Sequence, residues 1–295
     1  MKYVLCLCWA ISLFCVSNVK SVERWDWKSI TNVSGERYHE LARINKDADY
    51  RVDFRLAITS GKQFFLFYVE NSGTNSLVIP KETSGGNYVL YYDGSGNRFT
   101  SRLASYLDSG REVPGHESYF WLRSVGMKAP PLLRVSGGLA RLQWRCMSKW
   151  SAPIWIMFPD RHGRVEHVHS ISKEEKIHLV LSAVHSDEGL EKISCVFINQ
   201  TDQEVSLDNI EGSRHIRLYF VDREDEYILP LDEYIKPETR VEAEAHAIWY
   251  LPWESIMHAV QDADVEGSPE TGVRIDLTWH LGSHESQPLP LAIMP

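Results

Sequence analysis

Cysteine is nearly absent once the first residues are set aside. Three of the five cysteines, Cys6, Cys8 and Cys15, lie near the N-terminus, and the rest of the chain holds only Cys146 and Cys195. These two do not occupy matching places in the repeat described below, which excludes an antibody-type bridge inside each unit. Two buried thiols are expected, with a bridge between the units as the alternative. There is no Gly-x-Ser-x-Gly and no Gly-rich loop set between a strand and a helix, so neither a nucleophile elbow nor a phosphate cradle is expected. No strongly basic run stands out, and the formal net charge is −9. That balance disfavours nucleic acid and anionic membrane surfaces as partners, which call for clustered Lys and Arg. After residue 21 no apolar run is long enough to cross a bilayer.

At the N-terminus, Met-Lys-Tyr precedes a mostly apolar run from Val4 to Val16, followed by small and polar residues. A positive start, a dozen or so apolar residues and a small-residue exit form a secretory signal peptide. Cleavage is expected after Ser17 or Ser21, giving an exported protein, periplasmic or secreted, with no stable membrane span. Loss of Lys2 and Lys20 takes the charge to −11 (−9 − 2).

The chain also repeats itself. Shifted by 128 positions (199 − 71), Asn71 falls on Asn199, Leu90 on Leu218, Tyr91 on Tyr219, Tyr106 on Tyr234 and Trp121 on Trp249. Beyond Trp121 the second copy is seven residues longer, and Leu142 and Trp144 match Leu277 and Trp279 at 135. Upstream, Phe54 and Leu56 match Leu179 and Leu181 at 125. A period this long marks duplicated domains rather than solenoid units. The expected division is a signal peptide (1–21), an N-terminal extension (22–50), a first β-sandwich (51–147), a packed connector (148–172), a second β-sandwich (173–284) and an extended tail (285–295).

Each copy reads as about seven short strands between turn signals, the pattern of an antiparallel sandwich. Val52, Phe54 and Leu56 alternate with polar neighbours, while Phe64–Glu70 is dense enough to be covered on both faces. Pro252 suits a helix start, and Trp253, Ile256, Met257 and Val260 fall on one face of the helix that follows. The predicted class is therefore all-β: two tandem immunoglobulin-like sandwiches, with one short helix in the second. Trp121 and Trp144, like Trp249 and Trp279, are expected to be core aromatics.

Candidate chemistry is sparse. His162, His167 and His169 are the densest histidine group, and His-x-His on a strand puts both rings on one face, suited to a transition metal with Asp160 or Glu166 beside it. Asp262-Ala-Asp264 opens like a calcium loop, but the twelfth position is Val273 where a bidentate acid is needed. Trp150, Trp155 and Trp253 are the candidates for ligand binding by stacking on sugar rings. Asn71 and Asn199 read as turn residues. No catalytic set and no cofactor is expected.

Val69-Glu-Asn71, Tyr91-Tyr-Asp93-Gly-Ser-Gly96 and Val113-Pro-Gly115 carry a resemblance. Each repeat resembles exported immunoglobulin-like modules, and the first is loosely similar to the bacterial intracellular proteinase inhibitor type of domain. The second repeat has Asp222-Arg and Lys236-Pro-Glu at the last two places. The resemblance implies small sandwiches whose loops carry specificity. The expected function is a non-catalytic exported binding or envelope-associated protein, with an extracytoplasmic protein or glycan as partner. The alternatives are a carbohydrate-binding or enzyme-accessory module and a hydrolase with a site between the domains.

Overall fold

The computed structural model describes residues 49–59, 62–79, 87–92, 98–102, 111–124, 137–166, 168, 176–184, 191–236, 238–265, 267 and 272–294. The expected signal peptide, most of the expected N-terminal extension, residues 93–97, His167 and His169 lie outside the described residues.

The first repeat supplies β1 (Tyr50–Thr59), β2 (Lys62–Asn71), β3 (Leu77–Ile79), β4 (Asn87–Tyr92), β5 (Arg98–Arg102), β6 (Arg111–Val113), β7 (Ser118–Ser124), β8 (Gly138–Cys146), β9 (Lys149–Trp150) and β10 (Ile154–Phe158). The second supplies the same series again: β11 (Ile177–Val184), β12 (Lys192–Asn199), β13 (Val205–Ser206), β14 (Arg214–Phe220), β15 (Asp225–Pro230), β16 (Arg240–Val241), β17 (His246–Pro252), β18 (Val273–Leu281), β19 (His284–Glu285) and β20 (Leu289–Ile293). Helix α1 (Trp253–Asp262) lies between β17 and β18, with Pro252 as its N-cap. Its buried face is Ile256, Ala259 and Val260, with Trp253 and Met257 half-buried. The protein is all-β apart from this helix and a single 3-10 turn at Leu207–Asn209, among the described residues.

The repeats interlock through their sheets. The first sheet runs β15-β14-β18-β20-β1-β2-β7, and the second runs β17-β12-β11-β10-β8-β4-β5. Short strands β19 and β9 pair with β18 and β8 beside these paths, so each repeat gives three strands to one sheet and five to the other. The seams are short and parallel: Leu56, Ala57 and Ile58 of β1 meet Leu291, Ala292 and Ile293 of β20. Across the other seam, Ile156 and Met157 of β10 meet Ala183 and Val184 of β11. The connector thus provides β9 and β10, and the tail provides β20. A private interior for each repeat is not what forms. Phe67, Trp144, Phe197 and Trp279 all belong to one continuous apolar core.

Within that core each half keeps its own aromatic centre. Trp144 is fully buried, edge-on to Phe67 at 5.2 Å and to Trp121 at 5.5 Å. Trp279 is fully buried and meets half-buried Trp249 edge-on at 6.1 Å. Edge-to-face contacts match ring quadrupoles as well as burying area. Cys146 and Cys195 are free and buried, and burial pushes the Cys195 thiol up to about 12.

Two polar latches are written twice. Asn71 Nδ2 donates to the carbonyls of Asn75 (2.8 Å), Val113 (3.0 Å) and Pro114 (3.0 Å), and its Oδ1 accepts from the Gly73 amide. Asn199 repeats each contact 128 positions on, with Gln203 (2.8 Å), Val241 (3.0 Å), Glu242 (2.8 Å) and the Thr201 amide. In the second latch the Trp144 amide donates to Ser151 Oγ (3.1 Å), while the Ser151 amide donates to the Trp144 carbonyl (2.9 Å). Trp279 and Ser286 repeat it 135 positions on, at 2.9 Å for both bonds. Each latch satisfies backbone groups where a strand ends under cover, a position where an unpaired group is costly.

The registers correct two of the sequence alignments. Leu56 takes the place of Ala183 and Ala57 that of Val184, because β20 and β10 pair with them equivalently; the offset is 127 (183 − 56), not 125. An error of two residues keeps every side chain on its face. The second correction does not. Tyr91 faces Leu142, as Leu218 faces Leu277, so Tyr91 rather than Leu90 matches Leu218. Val89 is fully buried in the core. The run Tyr88-Val-Leu-Tyr-Tyr is apolar or aromatic at every position, so its periodicity could not set the face.

Candidate functional site

Strand β8 buries Ala140, Leu142, Trp144 and Cys146, so Leu139, Arg141, Gln143 and Arg145 are on its outer face. The pairing across the sheet sets these arginines in two rows. One row places Arg102, Tyr88, Arg145 and Trp150 opposite one another on β5, β4, β8 and β9. The other places Arg98, Tyr92, Arg141 and Trp155 on β5, β4, β8 and β10. The rows are four residues apart on β8, about 13–14 Å.

The described side chains in these rows are held in place. The Arg145 guanidinium lies over the Trp150 ring at 5.2 Å, and Nε donates to the Met147 carbonyl at 2.9 Å. Arg141 lies over Trp155 at 6.0 Å and donates to Gln143 Oε1 at 3.4 Å. Gln143 Nε2 donates to the Ser151 carbonyl at 2.7 Å. At the hairpin, Met147 takes a left-handed conformation with φ 55°. Tyr50 Oη donates to the Cys146 carbonyl at 3.2 Å, and the Ser148 amide donates to Tyr50 Oη at 3.3 Å. Burial raises the Tyr50 pKa, so the phenol stays a neutral donor. Lys149 Nζ sits 5.7 Å from the Tyr50 ring. Trp150 ends the row with 42% of its surface exposed.

The charge pattern behind this strip was missed by looking for runs. Residues 118–159 contain no Asp or Glu and six bases: Arg123, Lys128, Arg134, Arg141, Arg145 and Lys149. The bases never cluster in sequence, and the missing acids are the readable signal. A cationic strip stacked with indoles can take an anion and an apolar ring together.

The sequence-derived candidates fall in separate places. Trp150 closes the exposed row. Trp155 is 6% exposed and packs with Leu139, Met157, Val180, Val196 and Ile198. Trp253 opens α1 in the other repeat, half-buried, its amide donating to the Glu191 carbonyl at 2.8 Å. The three form no common platform. His162 is exposed and accepts from Arg161 Nε at 3.1 Å. Asp160 is buried, and its carboxylate accepts from the amides of His162 (2.8 Å) and Arg164 (2.7 Å) and from the Arg164 guanidinium (3.0 and 3.1 Å). Desolvation alone would raise its pKa, but the two amides and the guanidinium outweigh that and lower it. Among the described residues no three His, Cys, Asp or Glu side chains are grouped to hold a metal.

The segment carrying Asp160 crosses the same sheet as a strap. Val165 and Val168 cover the Trp155 cluster, and the His246 imidazole on β17 bonds the Val165 backbone. Gly137, at φ 72°, lets the strap approach: a Cβ there would come within 2.1 Å of the Arg164 carbonyl oxygen. The strap thus covers the sheet near β10–β17, and the arginine rows occupy the part built from β8, β4 and β5.

No known family and no curated protein matches this chain. Among solved structures it is similar to the E. coli chaperone DraB, at 9% identity and TM-score 0.22, over 82% of this chain and 95% of that one. It is similar to the Pseudomonas aeruginosa CupB2 chaperone at 8% identity and TM-score 0.19, over 79% and 97%. It is also similar to red sea bream transglutaminase at 10% identity and TM-score 0.20, over 86% and 33%. Likenesses this slight carry no argument. No described helix is long and apolar enough to cross a membrane.

Proposed function

We propose that this chain is an exported, non-catalytic binding protein made of two immunoglobulin-like sandwiches fused edge to edge, and that a sheet face makes the contact with an extracytoplasmic macromolecule. The single observation that carries the reading is how the polar side chains divide. Asn71, Asn199, Ser151, Ser286 and Asp160 are spent on backbone latches. The half-exposed arginines and the exposed Trp150 form ordered rows on an outer face. Arginine and tryptophan in a pre-set arrangement are what binding surfaces rely on. The immunoglobulin-like assignment draws support from the split of each repeat between the two sheets, three strands against four once the two-residue strands β9 and β19 are set aside. Exposed Trp150 favours the glycan over the protein among the expected partners.

The test is co-sedimentation of the purified mature chain with cell-envelope fragments, with soluble products assayed in the same tubes. Binding without turnover is expected. Release of sugars or peptides in proportion to added protein would overturn the non-catalytic reading.

A further inference from the structure

The strip on β8 and β9 has a definite ligand chemistry. We propose that it is a subsite for an acidic polysaccharide, whose carboxylate or sulfate groups meet Arg145 and Arg141 while a sugar ring stacks on Trp150. The inference rests on the binding role proposed above and deepens it.

Three observations converge on that chemistry. First, in a chain whose net charge is −9, the register of β5, β4 and β8 assigns Arg98, Arg102, Arg141 and Arg145 to one face and no carboxylate, the places between the rows being Thr100, Leu90 and Gln143. Second, the arginines are oriented by Trp150, Trp155, Gln143 and the Met147 carbonyl. Pre-set side chains lose less freedom when a ligand arrives. Third, the exposed Trp150 ring shares its face with Arg145, whose guanidinium lies 5.2 Å from it, so an apolar face and an anion are accepted side by side. An acidic sugar presents both, whereas a neutral glycan leaves the cations without use.

A second copy of the chain fits this strip less well. The equivalent face of the second repeat is acidic, but most of the carboxylates on and beside it already hold arginines. Asp276 pairs with Arg55, Asp222 with Arg274, Glu285 with Arg217 and Asp225 with Arg223. A long nucleic acid is disfavoured by the negative remainder of the molecule.

The experiment is affinity electrophoresis and titration calorimetry of the full mature chain with polygalacturonate and heparin, against dextran and single-stranded DNA. Retention by at least one acidic polysaccharide is expected, weakening as salt rises, with none by dextran. Arg145→Glu should lower that affinity on the order of tenfold, and Trp150→Ala should lower it with the charge unchanged. Arg217→Glu, an equal charge change on the other repeat, should leave it unaltered. Thermal melts of each variant separate lost binding from lost folding. If the Arg145 variant fails to fold, Arg145→Gln with Trp150→Ala carries the same expectation. Retention by neither acidic polysaccharide overturns the inference, as does equal retention by DNA or indifference to the strip variants. If envelope fragments still sediment the protein in that case, the binding role stands and only the ligand chemistry falls.

Discussion

The same place on the two repeats carries opposite chemistry. Where the first repeat sets Arg102, Tyr88, Arg145 and Trp150 in a row, the second sets Pro230, His215, His280 and Glu285. Where the first sets Arg98, Tyr92, Arg141 and Trp155, the second sets Glu226, Tyr219, Asp276 and Pro290. Beneath these rows the two halves agree in the Trp centre, the Asn latch and the Ser latch. What holds a strand in a sandwich is fixed by packing and backbone satisfaction, and what lies on an outer face is not. The residues that differ between copies are therefore where a function particular to one copy is to be sought.

The seams differ in the same way. Arg55 is buried between β1 and β20, its Nε donating to Asp53 Oδ2 at 2.5 Å. Its Nη1 donates to Asp276 Oδ1 (2.8 Å) and to the carbonyls of Ile275 (3.0 Å) and Leu291 (3.2 Å). The place of Arg55 on the other seam, 127 positions on, is Ser182, which shares a 2.5 Å hydrogen bond with Ser194. Desolvation raises the Asp276 carboxyl in spite of Arg55. One seam is crossed by a desolvated ion cluster, and beside the other the equivalent place holds a hydroxyl pair that joins β11 to β12.

The comparison can be broken first at the aromatic centres. Trp144→Ala and Trp279→Ala should each cost about 3–5 kcal/mol, and denaturant titration should find the two losses similar. If either variant left stability unchanged, the equivalence of the halves would fail. At the seams the effects should differ. Arg55→Ala strands two carboxylates and two carbonyls and should cost about 2–4 kcal/mol, discounted because the carboxylates are partly exposed. Ser182→Ala should cost about 1–2 kcal/mol. Equal costs in the same titration would contradict the account of unlike seams. The Asn latches should respond alike again: Asn71→Ala and Asn199→Ala should each cost about 1–3 kcal/mol, read as matched shifts in melting temperature. The smallest effect is pH dependence. Desolvation, then His280 stacked at 4.7 Å and Arg217, lower the His215 pKa against the pull of Glu226. Desolvation likewise lowers His246, although its bond to Val165 opposes this. An imidazole whose folded pKa is depressed contributes stability above its ordinary value and loses it as pH falls. Melting temperature should therefore drop from about pH 7.5 to about pH 5.5, and His215→Tyr, which restores the residue type at the first repeat's place, should lessen that drop. An unchanged slope in that variant would remove His215 from the explanation.

Much of the scaffold could be read in the sequence, because its signals are local. Trp121, Trp144 and Trp279 mark buried alternating strands, Pro252 marks the start of α1, and Asn71 and Asn199 mark turns. The exchange of strands across the seams could not be read, since β1 meets β20 from more than two hundred residues away and only three residue pairs record it. Ser151 and Ser286 were also invisible, because a serine serving a strand end looks like any surface serine. The strip escaped for a different reason. Arg141 and Arg145 come together with Trp155 and Trp150 only through cross-strand register. Reading Trp150, Trp155 and Trp253 as one group joined residues by type where the sheet joins them by row.

Hydrogen exchange of the purified protein, with and without an acidic polysaccharide, tests most directly whether the first repeat's face is the one that binds. Added protection should fall on residues 87–92, 98–102 and 141–150 and leave 214–230 and 273–285 unchanged. Protection of the second repeat's face, or of both faces equally, would contradict the account.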